Sequence, residues 1–107
     1  MKQQRKVTKP PKNDDIENVV RAALREDRYA LGGHALERMR ERKISARDIR
    51  EVLSQGRREK AKDEYSEQFS RWRYAFRGQD ESARQLRVVV SEEAPGIIII
   101  TAIDLDP

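Results

Sequence analysis

The sequence predicts an α+β domain: about three N-terminal helices packed on one face of a roughly four-stranded antiparallel sheet. Three observations point there. Apolar residues recur at helical spacing as far as residue 55, where Gly56 closes the pattern. The period then changes to two, most cleanly in Trp72, Tyr74 and Phe76. Finally, Ile97 to Ile103 is almost continuously β-branched, as in a strand covered on both faces or nearly so.

Residues 1 to 13 hold five cations, no acid and Pro10-Pro11, and read as a disordered basic arm ahead of a single domain spanning 14–107. Asn13, Asp14 and Asp15 offer N-cap chemistry before Ile16, Val19, Val20, Ala23 and Leu24, the stripe of a first helix that ends near Asp27. Tyr29 to Gly33 reads as a connector. A short second helix starts near His34 and stops near Lys43, because Ile44-Ser45-Ala46-Arg47-Asp48 starts a new one. There Ser45 and Asp48 form a capping box and Ile44 can staple onto Ile49. Ile49, Val52 and Leu53 are the buried stripe of the third helix, and Gly56 suits a left-handed C′ position.

Arg57 to Tyr65 is a polar candidate edge strand. Strands follow at Trp72 to Phe76, Leu86 to Val90 and, after the Ala94-Pro95-Gly96 turn, Ile97 to Ile103. A simple meander would leave the last of these on an edge. Its apolar character therefore predicts a central position or a covering partner.

At 107 residues the chain suffices for one modest core, and with 36% hydrophobic and 39% charged residues that core must come from these few patterned segments. Without cysteine there is no disulfide, thiolate nucleophile or Cys-type zinc site, and a lone histidine argues against a His-rich metal centre. Neither a membrane span nor a signal-peptide core is visible, so a soluble cytoplasmic protein that needs no cofactor is expected. The net charge is +4, but the arm supplies more than all of it. Cationic surface on the domain must therefore come from local segregation of arginines.

Two groups of residues could carry chemistry. His34, Arg38 and Arg42 stack along one side of the second helix, with Glu37 and Glu41 nearby. Arg71, Arg73, Arg77 and Arg87 occupy the non-aromatic faces of two strands. Guanidinium groups bind phosphate in bidentate fashion, so Arg71, Arg77 and Arg87 are candidate nucleic-acid contacts. Metal-independent RNA cleavage needs a proton acceptor for the 2′-OH, cations at the transition state and an acid for the leaving oxygen. His34 can act as base or acid, with Arg38, Arg42 and Arg73 stabilising charge and Tyr74 or Glu37 assisting. Each has a plainer reading. His34 would cap its helix, Arg38 would pair with Asp48 or Glu51 to close the helical hairpin, the strand arginines would form a solvated face, and Trp72, Tyr74 and Phe76 would be core.

H-A-L-E-R-M-R-E-R-K-I-S-A-R-D-I, with V-L-S-Q-G, W-R-Y-A-F-R-G, R-Q-L-R-V-V-V and I-I-I-I-T-A-I, resembles a small bacterial domain-of-unknown-function family marked by His-Ala-x-x-Arg-Met-x-x-Arg-x-Ile-Ser and grouped with RelE/BrnT-like toxins. The likeness covers about residues 30 to 105. It implies a toxin-like α+β fold and suspected ribonuclease or translation-inhibiting activity beside an antitoxin. Its motif positions here are His34, Arg38, Arg42 and Ile44, with Lys43 where glycine is common. The leading expectation is an endoribonuclease or mRNA interferase of a toxin-antitoxin system. The alternatives are a non-catalytic RNA or ribosome binder, and a module that pairs with an antitoxin or itself through the Ile-rich strand.

Overall fold

The computed structural model describes residues 9–106, so most of the basic arm lies outside the described residues. Three helices, α1 (Ile16–Arg25), α2 (Gly33–Arg42) and α3 (Ala46–Gln55), pack against a mixed sheet of six strands. These are β1 (Tyr29–Leu31), β2 (Arg57–Arg58), β3 (Glu64–Ser66), β4 (Arg71–Gln79), β5 (Gln85–Glu93) and β6 (Gly96–Asp104). The α+β class stands, but the sheet is neither four-stranded nor wholly antiparallel. Its order is β1-β6-β5-β4-β2, with β3 also on β4.

The largest departure is at Tyr29 to Gly33. Tyr29–Leu31 is a strand paired in parallel with Ile97–Ile99, and Gly33 already belongs to α2. The Gly32 amide donates to the Ile99 carbonyl and the Ile97 amide to the Arg28 carbonyl. A strand of the same chain thus covers the edge that a meander would leave open, so no external partner is needed along Ile97–Ile99. Three residues are too few to show an alternating pattern, which is why this strand resembles a loop in sequence.

Arg57 to Tyr65 also differs from expectation. It is broken into β2, a 3₁₀ turn at Lys60–Lys62 and β3. The break is organised by Asp63, whose inaccessible carboxylate accepts from the Arg58 guanidinium, from Lys12 Nζ at 2.9 Å and from the Ala75 amide at 2.9 Å. Arg58 lies over the Tyr74 and Phe76 rings and also donates to the Ala75 carbonyl. Burial alone would raise the Asp63 pKa, but the hydrogen bonds from Arg58, Lys12 and Ala75 hold it below the ordinary carboxylate value.

Lys9 to Asn13, the end of the arm, lies along the sheet. The Trp72 indole donates to the Pro10 carbonyl, Lys12 stands over its ring, and the Asn13 amide donates to the Tyr74 hydroxyl. At the α1 N-terminus no side chain caps the helix; Asn13 and Asp15 instead make local turn bonds.

One face of the sheet carries the core. Ile16, Val20 and Leu24 of α1, Ala35 of α2 and Ile49, Val52 and Leu53 of α3 meet Tyr74, Phe76, Leu86, Val88, Val90, Ile97, Ile99 and Ala102. Ile44 and Ile49 are both buried at the α2–α3 junction, and the Ser45–Asp48 capping box is complete. Val90 pairs with Ile99 but Val89 with Thr101, so Ile100 is a bulge that resets which β6 side chains face inward. Gly56 is extended rather than left-handed, and glycine is required there because a Cβ would stand 2.4 Å from the Arg77 carbonyl oxygen. Lys43, which ends α2, is left-handed instead, at φ 54°.

Two outcomes test this reading. Asp63→Ala strands the Arg58 guanidinium in the core and should cost about 3–5 kcal/mol in a urea melt. Because the folded-state pKa of Asp63 is depressed, its contribution is present above the carboxylate range and lost as pH falls through it. Stability should therefore drop from about pH 5 downward, and drop less steeply in Asp63→Asn. At the other end of the sheet, a Cβ on Gly96 would meet the Arg28 carbonyl oxygen at 1.7 Å, whereas one on Gly33 meets nothing within 4 Å. Gly96→Ala should prise β1 from β6 at a cost of about 2 kcal/mol, while Gly33→Ala should be neutral or stabilising. Equal melting of the two variants would contradict the β1–β6 pairing.

Candidate functional site

Beyond Ile99, β6 has no strand neighbour on the β1 side, because β1 ends at Leu31 and the chain turns into α2. The helix runs beside this part of β6. Its Ala35 and Met39 side faces the core, so residues on the 34, 38, 42 row fall toward the strand's free flank. His34, Arg38 and Arg42 line a cavity of about 370 Å³ whose other wall is Thr101, Ala102, Ile103 and Asp104. Three of the four expected catalytic residues are thus brought together.

Their partners differ from the sequence reading. Arg38 pairs with Glu41 on its own helix at 2.7 Å, not with Asp48 or Glu51. His34 and the Arg42 guanidinium have no hydrogen-bond partner among the described residues, and both are exposed.

Arg73 is in a neighbouring cavity of about 300 Å³ on the opposite sheet face, with Lys62, Glu64, Arg87, Val89 and Ile100. Thr101 and Ile103 line both cavities, so the end of β6 separates Arg73 from His34. Arg87 is held by Glu59 at 2.6 and 3.2 Å. Its hydrogen bond lowers the Glu59 pKa and keeps the carboxylate charged. Arg77 lies 3.8 Å from the same carboxylate. Arg71 pairs with Glu93 at 3.2 Å and stands over the Phe69 ring. Tyr74 belongs to the core: its hydroxyl accepts from the Asn13 amide, and burial raises its pKa. It does not reach the His34 cavity, which removes it as an assisting acid.

The residue that sequence reasoning missed is Arg84. Its Nη1 donates to the Arg42 carbonyl at 2.7 Å and its Nη2 to the Lys43 carbonyl at 3.1 Å, closing the C-terminal end of α2. Nε donates to Asp80 at 2.9 Å, and the carboxylates of Asp104 and Asp48 lie at 3.6 and 3.7 Å. The hydrogen bond to Asp80 raises the Arg84 pKa. Burial would raise that of Asp80, but bonds from the Arg84 amide, the Arg84 side chain and the Ser82 amide hold it down. One signal was available: Asp80 followed four residues later by Arg84 in the hairpin between two strands. Asp104, which lines the cavity itself, is a second residue the sequence did not single out.

The arrangement can bind a phosphodiester between Arg38 and Arg42 and present an imidazole beside it. Among the described residues no group of three or more His, Cys, Asp or Glu could hold a metal ion, and no helix there is long and apolar enough to cross a membrane.

Arg84→Met should release the end of α2 and leave Asp80 buried without its cation. We expect a loss of about 2 kcal/mol and faster amide exchange at Ile44 and Ser45. Unchanged exchange there would show that α2 is held without Arg84.

No curated protein and no solved structure matches the chain. The pattern of a family described as domain of unknown function (DUF4258) matches residues 31–104, from the end of β1 to the end of β6. That span takes in both walls of the His34 cavity, the Arg84 node and strands β2 to β6, with only the last residue of β1. The chain belongs to the DUF4258 family of domains of unknown function.

Proposed function

We propose that the domain is a toxin-like endoribonuclease, of the RelE/BrnT-like kind, that cleaves RNA without a metal. The observation that carries the reading is the convergence of His34, Arg38 and Arg42 on one cavity. His34 takes the 2′-OH proton as the 2′-oxygen attacks phosphorus. The P–O5′ bond breaks, leaving a 2′,3′-cyclic phosphate and a 5′-hydroxyl, and a proton passes to the departing oxygen. Arg38 and Arg42 hold the phosphoryl oxygens and offset the charge that builds on them. Arg73, across Ile103, acts on a neighbouring phosphate, with Arg87 and Lys62 beside it and Arg71 and Arg77 further along the face. RNA, free or on the ribosome, is the substrate, and the site of action is the cytoplasm.

A second reading, a non-catalytic RNA or ribosome binder, draws support from the Lys62, Arg73 and Arg87 cavity, which would bind phosphate without His34. An antitoxin or a second copy would have to use a surface other than the β6 edge at Ile97–Ile99, which β1 occupies. Ile103, 39% exposed on the outer face, offers one.

Expression of the wild type should slow growth, and His34→Ala or Arg38→Ala should relieve this while the domain stays folded. Purified protein in chelator should cut RNA, and His34→Ala should cut about 10²–10⁴-fold more slowly. Wild-type cleavage by both folded variants would sink the assignment, whereas RNA binding without any cleavage would favour the binder.

A further inference from the structure

A third cavity, of about 350 Å³, lies at the junction of α3, β2 and the β4–β5 hairpin, lined by Gln55, Arg57, Arg77, Gln79 and Gln85 around Gly56 and Gly78. Its floor exists because two backbones meet without side chains: a Cβ on Gly78 would stand 3.1 Å from the Gly56 Cα. No carboxylate and no large apolar side chain lines it. Among the described residues the side chains of Gln55, Arg57 and Gln79 make no hydrogen bond. Gln85 accepts only a long bond, at 3.5 Å, from Arg77.

Three amides and two guanidinium groups line this one cavity, Arg77 with the Glu59 carboxylate 3.8 Å away and Arg57 with no carboxylate partner among the described residues. Each amide offers a donor and an acceptor side by side, the complement of a nucleobase edge, and the guanidinium groups suit the attached phosphate. Adenine presents an adjacent donor and acceptor at N6 and N7 that a glutamine amide can match with two bonds. Single-stranded RNA can splay a base into such a cavity.

The sheet register links this cavity to the His34 site. Arg77, Arg87 and Ile103 are direct partners across β4, β5 and β6, and Ile103 lines the His34 cavity. At a strand spacing of about 4.8 Å, Arg77 stands about 10 Å from Ile103. That is on the order of three stacked nucleotides at a rise of about 3.4 Å each. Arg87 lies between the two ends, and Lys62 and Arg73 share the cavity that Arg87 and Ile103 line beside that row.

We propose that the glutamine-lined cavity is a base-reading subsite for a nucleotide a few positions from the phosphate at His34, and that it favours adenine. The proposal rests on the RNA-binding reading above and adds to it the origin of sequence preference.

The test uses the full chain carrying His34→Ala, so that RNA stays intact, and fluorescein-labelled oligo(A), oligo(U) and oligo(C) in low salt. Oligo(A) should bind about tenfold more tightly than oligo(U), as one bidentate base contact allows. Gln55→Ala with Gln79→Ala should abolish that preference and leave oligo(U) affinity unchanged. Both residues are exposed, so folding is not at stake, and circular dichroism verifies it. Arg87→Ala should weaken all three probes alike. Equal affinity for the three, or a preference that survives loss of both glutamines, overturns the subsite while leaving RNA binding intact. Failure of all three to bind overturns the RNA reading and the subsite with it.

Discussion

Arg84 is the interaction on which the geometry of the rest depends. A helix end leaves carbonyls without partners, and α2 ends on a lysine in left-handed backbone where a glycine would be less strained. The guanidinium fork donates to two of those carbonyls while its Nε donates to Asp80, whose carboxylate is itself held by the Ser82 and Arg84 amides of the β4–β5 hairpin. The side chain of Asp48 belongs to the capping box of α3 and also faces Arg84. One cation therefore fastens the end of one helix, the start of the next, a hairpin and the last strand. Arg42 is the last residue of α2, so whatever it does in the cavity depends on that fastening.

The arginines divide by how they are held. Arg58 and Arg84 are structural, each engaged by carboxylates and backbone carbonyls. Arg38, Arg71, Arg77 and Arg87 each have one acidic neighbour within 4 Å, at partly exposed positions where a pair contributes little to stability but narrows the directions the side chain samples. Arg42 and Arg73 have no carboxylate partner among the described residues. A polyanion would exchange with acids at the first four and bind the last two without competition. Overall net charge, dominated by the arm, conceals this division.

Long periodic segments were legible from sequence, and so was the helical hairpin, because Ser45, Asp48, Ile44 and Ile49 act within a few residues of one another. The His34, Arg38, Arg42 row was legible for the same reason: helical spacing alone puts the three on one side. What lay opposite that row was not legible, since Thr101 and Asp104 reach it only through strand order. β1 was missed because a three-residue strand has no period. Arg84 was missed because its acceptors are backbone carbonyls more than forty residues away, which no side-chain pattern announces. The polarity of Arg57 to Tyr65 suits a single edge strand and does not announce the buried Asp63 carboxylate around which the chain is broken into β2, a turn and β3.

The β1–β6 ladder joins residues near the front of the chain to residues near its end. During synthesis β1 leaves the ribosome long before the strand it must pair with, and the sheet cannot close until β6 follows. Until then Tyr29–Leu31 has no ladder, α2 has no strand to lie beside, and the two walls of the His34 cavity do not exist together. Pairing at such sequence separation also makes folding slow relative to the local helices. The site is therefore completed only once β6 has been made and has paired with β1. A nascent chain that reaches only β5 carries His34, Arg38 and Arg42 but no cavity for them to line.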